Sequence, residues 1–332
     1  MKAFVTGIAG FIGAHVAQHL LDAGWEVSGI DDLSGGRIEN VPTGAEFRQI
    51  DCNDSLDELL QPIAPTAVFH LAAYAAEGLS HHIPVFNYQN NVVATANVLG
   101  AACRANVEHF VFTSSIAAYG HPKSGQPFDE RTPCHPCDPY GTAKLACEHH
   151  IQSVSEYFGG PRYTIFRPHN VFGPQQNIAD PYRNVVGIFI RRALDGQPFP
   201  VFGDGSQTRS FSYIDSVAAC IAAAPTTEQA VNQTFNVGGD QPMSVRELGE
   251  TLAEVMAIEP AFEFLPPRQE VQHAHASHAK VRSVFPAAFE NEIDIRTGLE
   301  RMVAYVRQHS VPEPTPCPSA IEISDKLPPS WR

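Results

Sequence analysis

Residues 2–32 read KAFVTGIAGFIGAHVAQHLLDAGWEVSGIDD, and the order of patterns inside this stretch decides the fold. A β-rich run, Lys2–Thr6, passes directly into three glycines, Gly7, Gly10 and Gly13, which open an amphipathic stretch, Phe11–Ala23. A second β-rich run, Glu26–Ile30, leads into Asp31 and Asp32. Glycines at a strand-to-helix junction let the backbone turn tightly and approach a pyrophosphate, whose charge then sits at a helix N-terminus. The spacing is G-x-x-G-x-x-G rather than G-x-G-x-x-G. Asp31 can accept both hydroxyls of an adenosine ribose and repels a 2′-phosphate. NAD is therefore expected over NADP, with Arg37 the one neighbour that argues the other way.

Further along, Phe47–Ile50, Ala67–Leu71, His109–Thr113 and Tyr163–Arg167 repeat the β-rich pattern, with helical stretches at Val85–Ala105 and Tyr140–Tyr157. This alternation predicts an α/β fold with a doubly wound parallel sheet and right-handed crossovers. Residues 1–167 are expected to form the dinucleotide-binding Rossmann domain, with 205–237 returning to it. From Pro168 on, Pro and Gly become frequent. Residues 168–204 and 238–332 are expected to form a smaller α/β substrate-binding domain, with helices over Val185–Leu194, Val245–Met256 and Arg296–Gln308. The final VPEPTPCPSAIEISDKLPPSWR is Pro-rich and reads as an extended tail packed on the surface.

The chain has 332 residues and a net charge of −14, so its overall field does not attract phosphate backbones or anionic lipid. Nucleic acid and membrane are accordingly not expected as partners, and no apolar run approaches the roughly 20 residues that span a bilayer. The N-terminus lacks an apolar core followed by a small-residue cleavage site, and seven scattered cysteines point to reduced thiols. Both features predict a cytoplasmic protein.

Tyr140 and Lys144 form Y-G-T-A-K, which puts both side chains on one helix face, about one turn apart. An ammonium beside a phenol stabilises the phenolate and lowers a pKa that is ordinarily about 10. Such a phenol can exchange a proton with a substrate alcohol. Alone, Y-x-x-x-K occurs by chance on many helices. Here it accompanies a dinucleotide fingerprint and Thr113, Ser114 and Ser115 at the end of the preceding strand. Asp51 with Cys52, read as the end of the third strand, could accept from an adenine amino group or be an ordinary loop carboxylate. Cys134 and Cys137 make a lone C-x-x-C, and His273, His275 and His278 crowd one short stretch. Structural zinc needs four ligands and no second C-x-x-C exists, so no metal is expected.

The sequence resembles the extended short-chain dehydrogenase/reductases that act on nucleotide sugars, over nearly its whole length. The resemblance is carried by the three glycines, DDLS from Asp31, HLAA from His70 to Ala73, Asn90 and Asn91, Ser114 and Ser115 with Tyr119 and Gly120, and Tyr140 with Lys144. RPHNVFGP from Arg167 to Pro174, GDGSQTRSFSYID from Gly203 to Asp215, and FNVG from Phe235 to Gly238 continue it. Within the family it is most similar to UDP-glucose 4-epimerases.

The resemblance implies a Ser115, Tyr140 and Lys144 catalytic triad and an NAD site. That site would involve Gly7, Gly10, Phe11, Ile12, Gly13, Asp31, Asp32, Ser34, Gly35, Asp51 and Cys52, then Leu71, Ala72, Ala73 and Asn91, and finally Tyr140, Lys144, Pro168 and His169. Ser115, Asn170, Asn184, Val201, Arg209 and Arg268 would meet the substrate, a UDP-sugar, and a homodimer is implied. The implied activity is an NAD-dependent 4-epimerase working through a transient 4-keto sugar. The alternatives are a UDP-N-acetylglucosamine 4-epimerase, another nucleotide-sugar epimerase or oxidoreductase, and a non-catalytic NAD-sensing protein. Ile116 and Ala117 stand where the family's 4,6-dehydratases carry an Asp-Glu pair, so dehydration lacks a catalyst. Glu77 and His169 depart from the residues expected near sugar and nicotinamide. Ala274 falls where some relatives close the sugar pocket with Tyr, which implies room for an N-acetyl group, the alternative being that His273 or His275 fills the space.

Overall fold

Each β-rich run of the first half becomes a strand: β1 (Lys2–Thr6), β2 (Glu26–Asp31), β3 (Glu46–Gln49), β4 (Ala67–His70), β5 (His109–Thr113) and β6 (Arg162–Pro168). A seventh, β7 (Gln233–Val237), comes from far down the chain. The computed structural model describes residues 1–121, 127–267, 273–309, 313, 317, 319–328 and 331. The seven strands form one sheet in the order β7-β6-β5-β4-β1-β2-β3, every pairing parallel. Edge strand β3 is largely exposed, whereas β4 and β5 are buried throughout, as a parallel sheet covered on both faces requires.

Alternation along the strands supplies the two cores. Val5, Phe69, Val111, Phe166 and Phe235 face helices α1 (Phe11–Asp22) and Ile214–Ala223. Phe4, Val68, Phe110, Phe112 and Ile165 face the opposite layer, α2 (Ala94–Arg104) and α3 (Pro139–Phe158). Each fully buried Phe contributes roughly 1.5–3 kcal/mol through the area it removes from water. A third core lies among α4 (Val185–Leu194), the strand Phe199–Phe202, α5 (Val245–Met256) and α6 (Ile295–Gln308).

Two expectations need correction. The stretch Val85–Ala105 is not one helix but Pro84–Tyr88, a wide turn over Gln89–Val93, and then α2. The extra residue in that turn lets Asn90 and Asn91 donate back to the carbonyls of Phe86 and Asn87. Asp51 does not end the third strand, which stops at Gln49. The described part of the tail lies on the segment after β4, where Ile321, Cys317 and Trp331 pack near Tyr74, Leu79 and Ile83. Among the described residues no helix is long and apolar enough to cross a membrane.

The strand order reverses between β1 and β4, so the connections that leave their carboxyl ends diverge to opposite faces. A crevice opens there, the usual ligand position in sheets of this kind.

Candidate active site

The glycine turn sits in that crevice. Gly7 has φ +74°, and a Cβ on it would lie 2.8 Å from the Ala72 backbone nitrogen. A Cβ on Gly13 would lie 1.9 Å from the Gly7 carbonyl oxygen. Both positions admit only glycine, and the chain leaves a cradle where side chains would otherwise stand. Gly10 caps α1 without a side-chain hydrogen bond, and no acidic residue occupies the first turn. The N–H groups of Phe11, Ile12 and Gly13 are thus directed at the place of an anion.

Asp31 closes β2 and accepts from the N–H groups of Leu33 at 2.8 Å and Ala9 at 3.2 Å. Burial nevertheless pushes its carboxyl above the ordinary range. Asp32 accepts from the Ser34 N–H and hydroxyl, which folds the following loop and places Gly35 at its rim. Asp51 is taken up by Asn53, whose backbone N–H lies at 2.8 Å and side-chain amide at 2.9 Å. Beside it the Cys52 thiol is buried and pushed up to about 12 by that burial and then by Asp51, so it stays neutral. Leu71, Ala72 and Ala73 run past the cradle, with the Ala72 N–H on the Thr6 hydroxyl. Thr6 in turn donates to His70 Nδ1 at 2.7 Å, while His70 Nε2 donates to Thr95, whose own proton goes to the Asn91 carbonyl. Burial holds His70 neutral by lowering its pKa to about 3. Asn91 itself is buried and spends its amide on Asn87 and the Tyr74 carbonyl, behind the crevice. A cradle without side chains, a bare helix start and a carboxylate at the end of β2 fit a dinucleotide.

The residues expected to handle a proton, Ser115, Tyr140 and Lys144, stand at the other end of the crevice. Asp138 caps α3 by accepting from Gly141 at 2.7 Å, and Pro139 follows at the first helical position. This fixes Tyr140 in the first turn, where its N–H donates to the Ser80 hydroxyl. Lys144, one turn on, is 2% exposed and donates to the Thr113 carbonyl at 2.9 Å. Its ammonium lies 5.9 Å from the Tyr140 ring centroid and 4.8 Å from that of Phe112. Burial lowers the Lys144 pKa to about 8. Ser115 caps the short turn Ile116–Tyr119 and hydrogen-bonds the Tyr140 phenol. The pair and the serine converge, but the expected lowering of the phenol pKa does not occur in the chain alone. Burial pushes Tyr140 well above 10, outweighing the Ser115 hydrogen bond.

Sequence reasoning missed the support beneath. Glu148, one turn beyond Lys144, is 1% exposed and takes the Arg167 guanidinium bidentately, Nε at 2.9 Å and Nη2 at 2.6 Å. Ser114 also donates to it. Arg167 lies 4.6 Å over the Tyr119 ring, and Tyr119 donates to Asn236 at 2.8 Å. The signal was the repeat of four from Tyr140 to Lys144 to Glu148 on one helix face.

Of the residues expected to meet substrate, Asn170 adopts φ +45° and donates to the Ser210 carbonyl at 3.0 Å. Asn184 caps α4, accepting from Val186 and donating to the Val171 carbonyl. Val201 is fully buried in the third core, so its side chain offers no surface to a ligand. Arg209 lies on the strand Thr208–Ser210 beside His273–Ala274. Arg268 lies outside the described residues, as do the side chains of His273 and Ala274. Pro168 ends β6, and His169 behind it is 2% exposed with both ring nitrogens engaged. Its Nδ1 meets the Ser210 carbonyl at 3.2 Å and its Nε2 meets His278 Nε2 at 2.7 Å. His278 reaches Asp240 through Nδ1 at 2.6 Å. Burial, then His278, lowers the His169 pKa to about 3.

Among the described residues no group of His, Cys, Asp and Glu is arranged to hold a metal, and Cys134 and Cys137 are free thiols raised by burial. The model of the NAD dependent epimerase/dehydratase family matches residues 3–238. UDP-glucose 4-epimerase of Mycolicibacterium smegmatis is 34% identical over 320 residues, covering 93% of this chain and all of the relative. The crystal structure of UDP-glucose 4-epimerase from Thermotoga maritima superposes with a TM-score of 0.87 at 31% identity, over 93% of this chain and 99% of that one. UDP-N-acetylglucosamine 4-epimerase from Methanobrevibacter ruminantium reaches 0.83 at 29%, over 92% and 98%. With the glycine cradle, the carboxylate at the end of β2 and the Tyr–Lys pair gathered around one crevice, these matches place the chain: it belongs to the NAD-dependent epimerase/dehydratase family.

Proposed function

We propose that the chain is a nucleotide-sugar 4-epimerase acting on a UDP-hexose, with UDP-glucose and UDP-galactose as its pair. The observation that carries this reading is the convergence of Ser115, Tyr140 and Lys144 on one end of the crevice, next to Ile116 and Ala117, which offer no further acid or base. Gly7, Gly10, Gly13 and Asp31 would hold the cofactor's diphosphate and adenosine ribose. Bound NAD supplies a reversible hydride acceptor, so net redox over a full turnover is zero.

Tyr140 removes the proton of the sugar C4 hydroxyl through its phenolic oxygen and later returns it to that same oxygen, once the 4-keto sugar has turned its opposite face to the hydride. Ser115 hydrogen-bonds the same substrate oxygen. Burial holds the resting phenol neutral, so its activation falls to positive charge brought close. Lys144 is fixed in position by the Thr113 carbonyl to supply part of that charge. Arg209, together with Arg268 and the Asn170 and Asn184 turns, is assigned the nucleotide diphosphate, which must be gripped while the 4-keto sugar rotates.

A second sugar class, UDP-N-acetylhexosamine, is favoured by Ala274, a small residue whose backbone pairs with Arg209. The test is to incubate purified protein with UDP-glucose or UDP-N-acetylglucosamine and follow the anomeric protons by NMR. The C4 epimer should form without consumption of added NAD. Stoichiometric NADH formation, or no product from any UDP-hexose, would sink the epimerase reading.

A further inference from the structure

Arg183 has no part in the site as assigned above. It ends a segment that crosses from the substrate side towards β1 and β2, where the Pro174 carbonyl accepts from His15 at 3.1 Å and the Gln175 carbonyl from Asn40 at 3.4 Å. The Asp180 carboxylate, 3% exposed as a residue, lies 2.8 Å from Arg183 Nε, an ion pair without an aligned hydrogen bond. The Tyr74 ring lies 4.6 Å from the guanidinium carbon. Both hold the side chain, and neither takes its outer edge. Among the described residues Nη1 and Nη2 have no hydrogen-bond acceptor, and they lie against Gly35. A Cβ on that glycine would be 3.1 Å from Nη2 and 3.4 Å from Nη1.

We propose that Arg183 is a cofactor-binding residue that closes on the diphosphate of NAD from the side opposite the glycine turn. Gly35 rims the crevice at the ribose end and Tyr140 stands at the other. The guanidinium of Arg183 lies against Gly35, and its charge eases ionisation of the Tyr140 phenol through space. A cation at the Gly35 rim is placed to meet a diphosphate that runs from the ribose end towards Tyr140. The glycine turn offers N–H groups but no charge, and a chain of net charge −14 supplies none from its overall field. Lys144, the one cation among the residues assigned to the cofactor, is committed to the Thr113 carbonyl. A guanidinium fixed at Nε, with its outer edge open, has the fork geometry that phosphate oxygens accept.

The inference rests on the placement of NAD proposed above, and Asp31→Asn serves as the control for that placement. Holoenzyme is diluted and filtered, and retained NAD is measured after denaturation to give a Kd; UDP is titrated separately. Arg183→Met should weaken NAD binding on the order of 10- to 100-fold, as loss of a charge-assisted hydrogen bond does, and leave UDP binding within about twofold. Arg183→Lys should fall between. Gly35→Ala should weaken NAD in the parent and add nothing in the Arg183→Met background. Unchanged NAD binding overturns the inference, whether or not UDP binding falls. Equal losses of NAD and UDP, or fully additive effects of the two variants, also overturn it. If Asp31→Asn leaves NAD binding intact as well, the placement of the cofactor has failed, and not Arg183 alone.

Discussion

Tyr140 and Lys144 are both buried, and burial acts on them in opposite directions, raising the phenol and lowering the ammonium. Tyr140→Phe removes only the phenolic oxygen, and general acid–base catalysis contributes ~10²–10⁴-fold. We expect kcat to fall by that range while bound NAD and UDP affinity stay at parent values; activity within a few-fold would exclude Tyr140 as the proton carrier. Lys144 makes a second prediction, about stability. Its folded pKa of about 8 lies below the usual value of 10.5, so the folded state binds its proton less tightly than the unfolded chain. Burying the charge therefore costs stability below pH 8, and the cost disappears as pH rises from about 8 to 10.5. The pH-dependent part is on the order of 3 kcal/mol. Lys144→Met also orphans the Thr113 carbonyl, a pH-independent loss of about 1–3 kcal/mol. Denaturant titrations should thus find the variant gaining on the parent at pH 6 relative to pH 10. A pH-independent difference would mean that the ammonium is better solvated than its burial implies.

At the scale of elements, the turn between β1 and α1 tolerates no side chain where the chain crosses itself. Gly13→Ala would drive a Cβ into the Gly7 carbonyl oxygen at 1.9 Å. Backbone, not a movable side chain, stands in the way, so the cost should be about 3 kcal/mol or more. NAD content on purification should fall with the melting temperature, and a variant that retains both would show that the turn can relax. The tail shows the reverse case, a distant segment finishing a short helix. The Glu322 carboxylate accepts from the N–H groups of Val85 at 2.9 Å and Phe86 at 3.1 Å, capping Pro84–Tyr88 from outside the sheet. That helix follows Ser80, which receives the Tyr140 N–H, and contains Asn87, which donates to the Pro139 carbonyl. Glu322→Ala should cost about 1 kcal/mol, the usual worth of a cap. Hydrogen exchange at Val85 and Phe86 should quicken, and unchanged exchange would mean that the tail only rests on the surface.

For the molecule as a whole, the acidic balance leaves the choice of dinucleotide to local groups. Asp31 already accepts two backbone N–H bonds at the end of β2, and a 2′-phosphate there would meet a carboxylate with nowhere to move. Cofactor released by denaturation should be NAD(H), and recovery of mainly NADP would give the decision to Arg37 instead. The sequence by itself determined the parallel sheet, because alternation and 3.6-residue periodicity follow from backbone geometry within each element. It also determined the glycine turn, Asp31 and the Tyr140–Lys144 pair, since each lies within a few residues of a recognisable strand end or helix start. The break at Gln89–Val93 escaped it, because apolar residues at helical spacing do not record which carbonyls the intervening asparagines will reach. Only the tertiary structure could decide that burial outweighs the Ser115 hydrogen bond at the Tyr140 phenol, because desolvation is set by what the rest of the chain packs around a group. The same holds for His169 on His278, 109 positions away, for Tyr119 on Asn236, 117 away, and for Arg183 lying against Gly35. Contacts like these depend on how loops of unrelated sequence close over one another, and no local pattern encodes that closure.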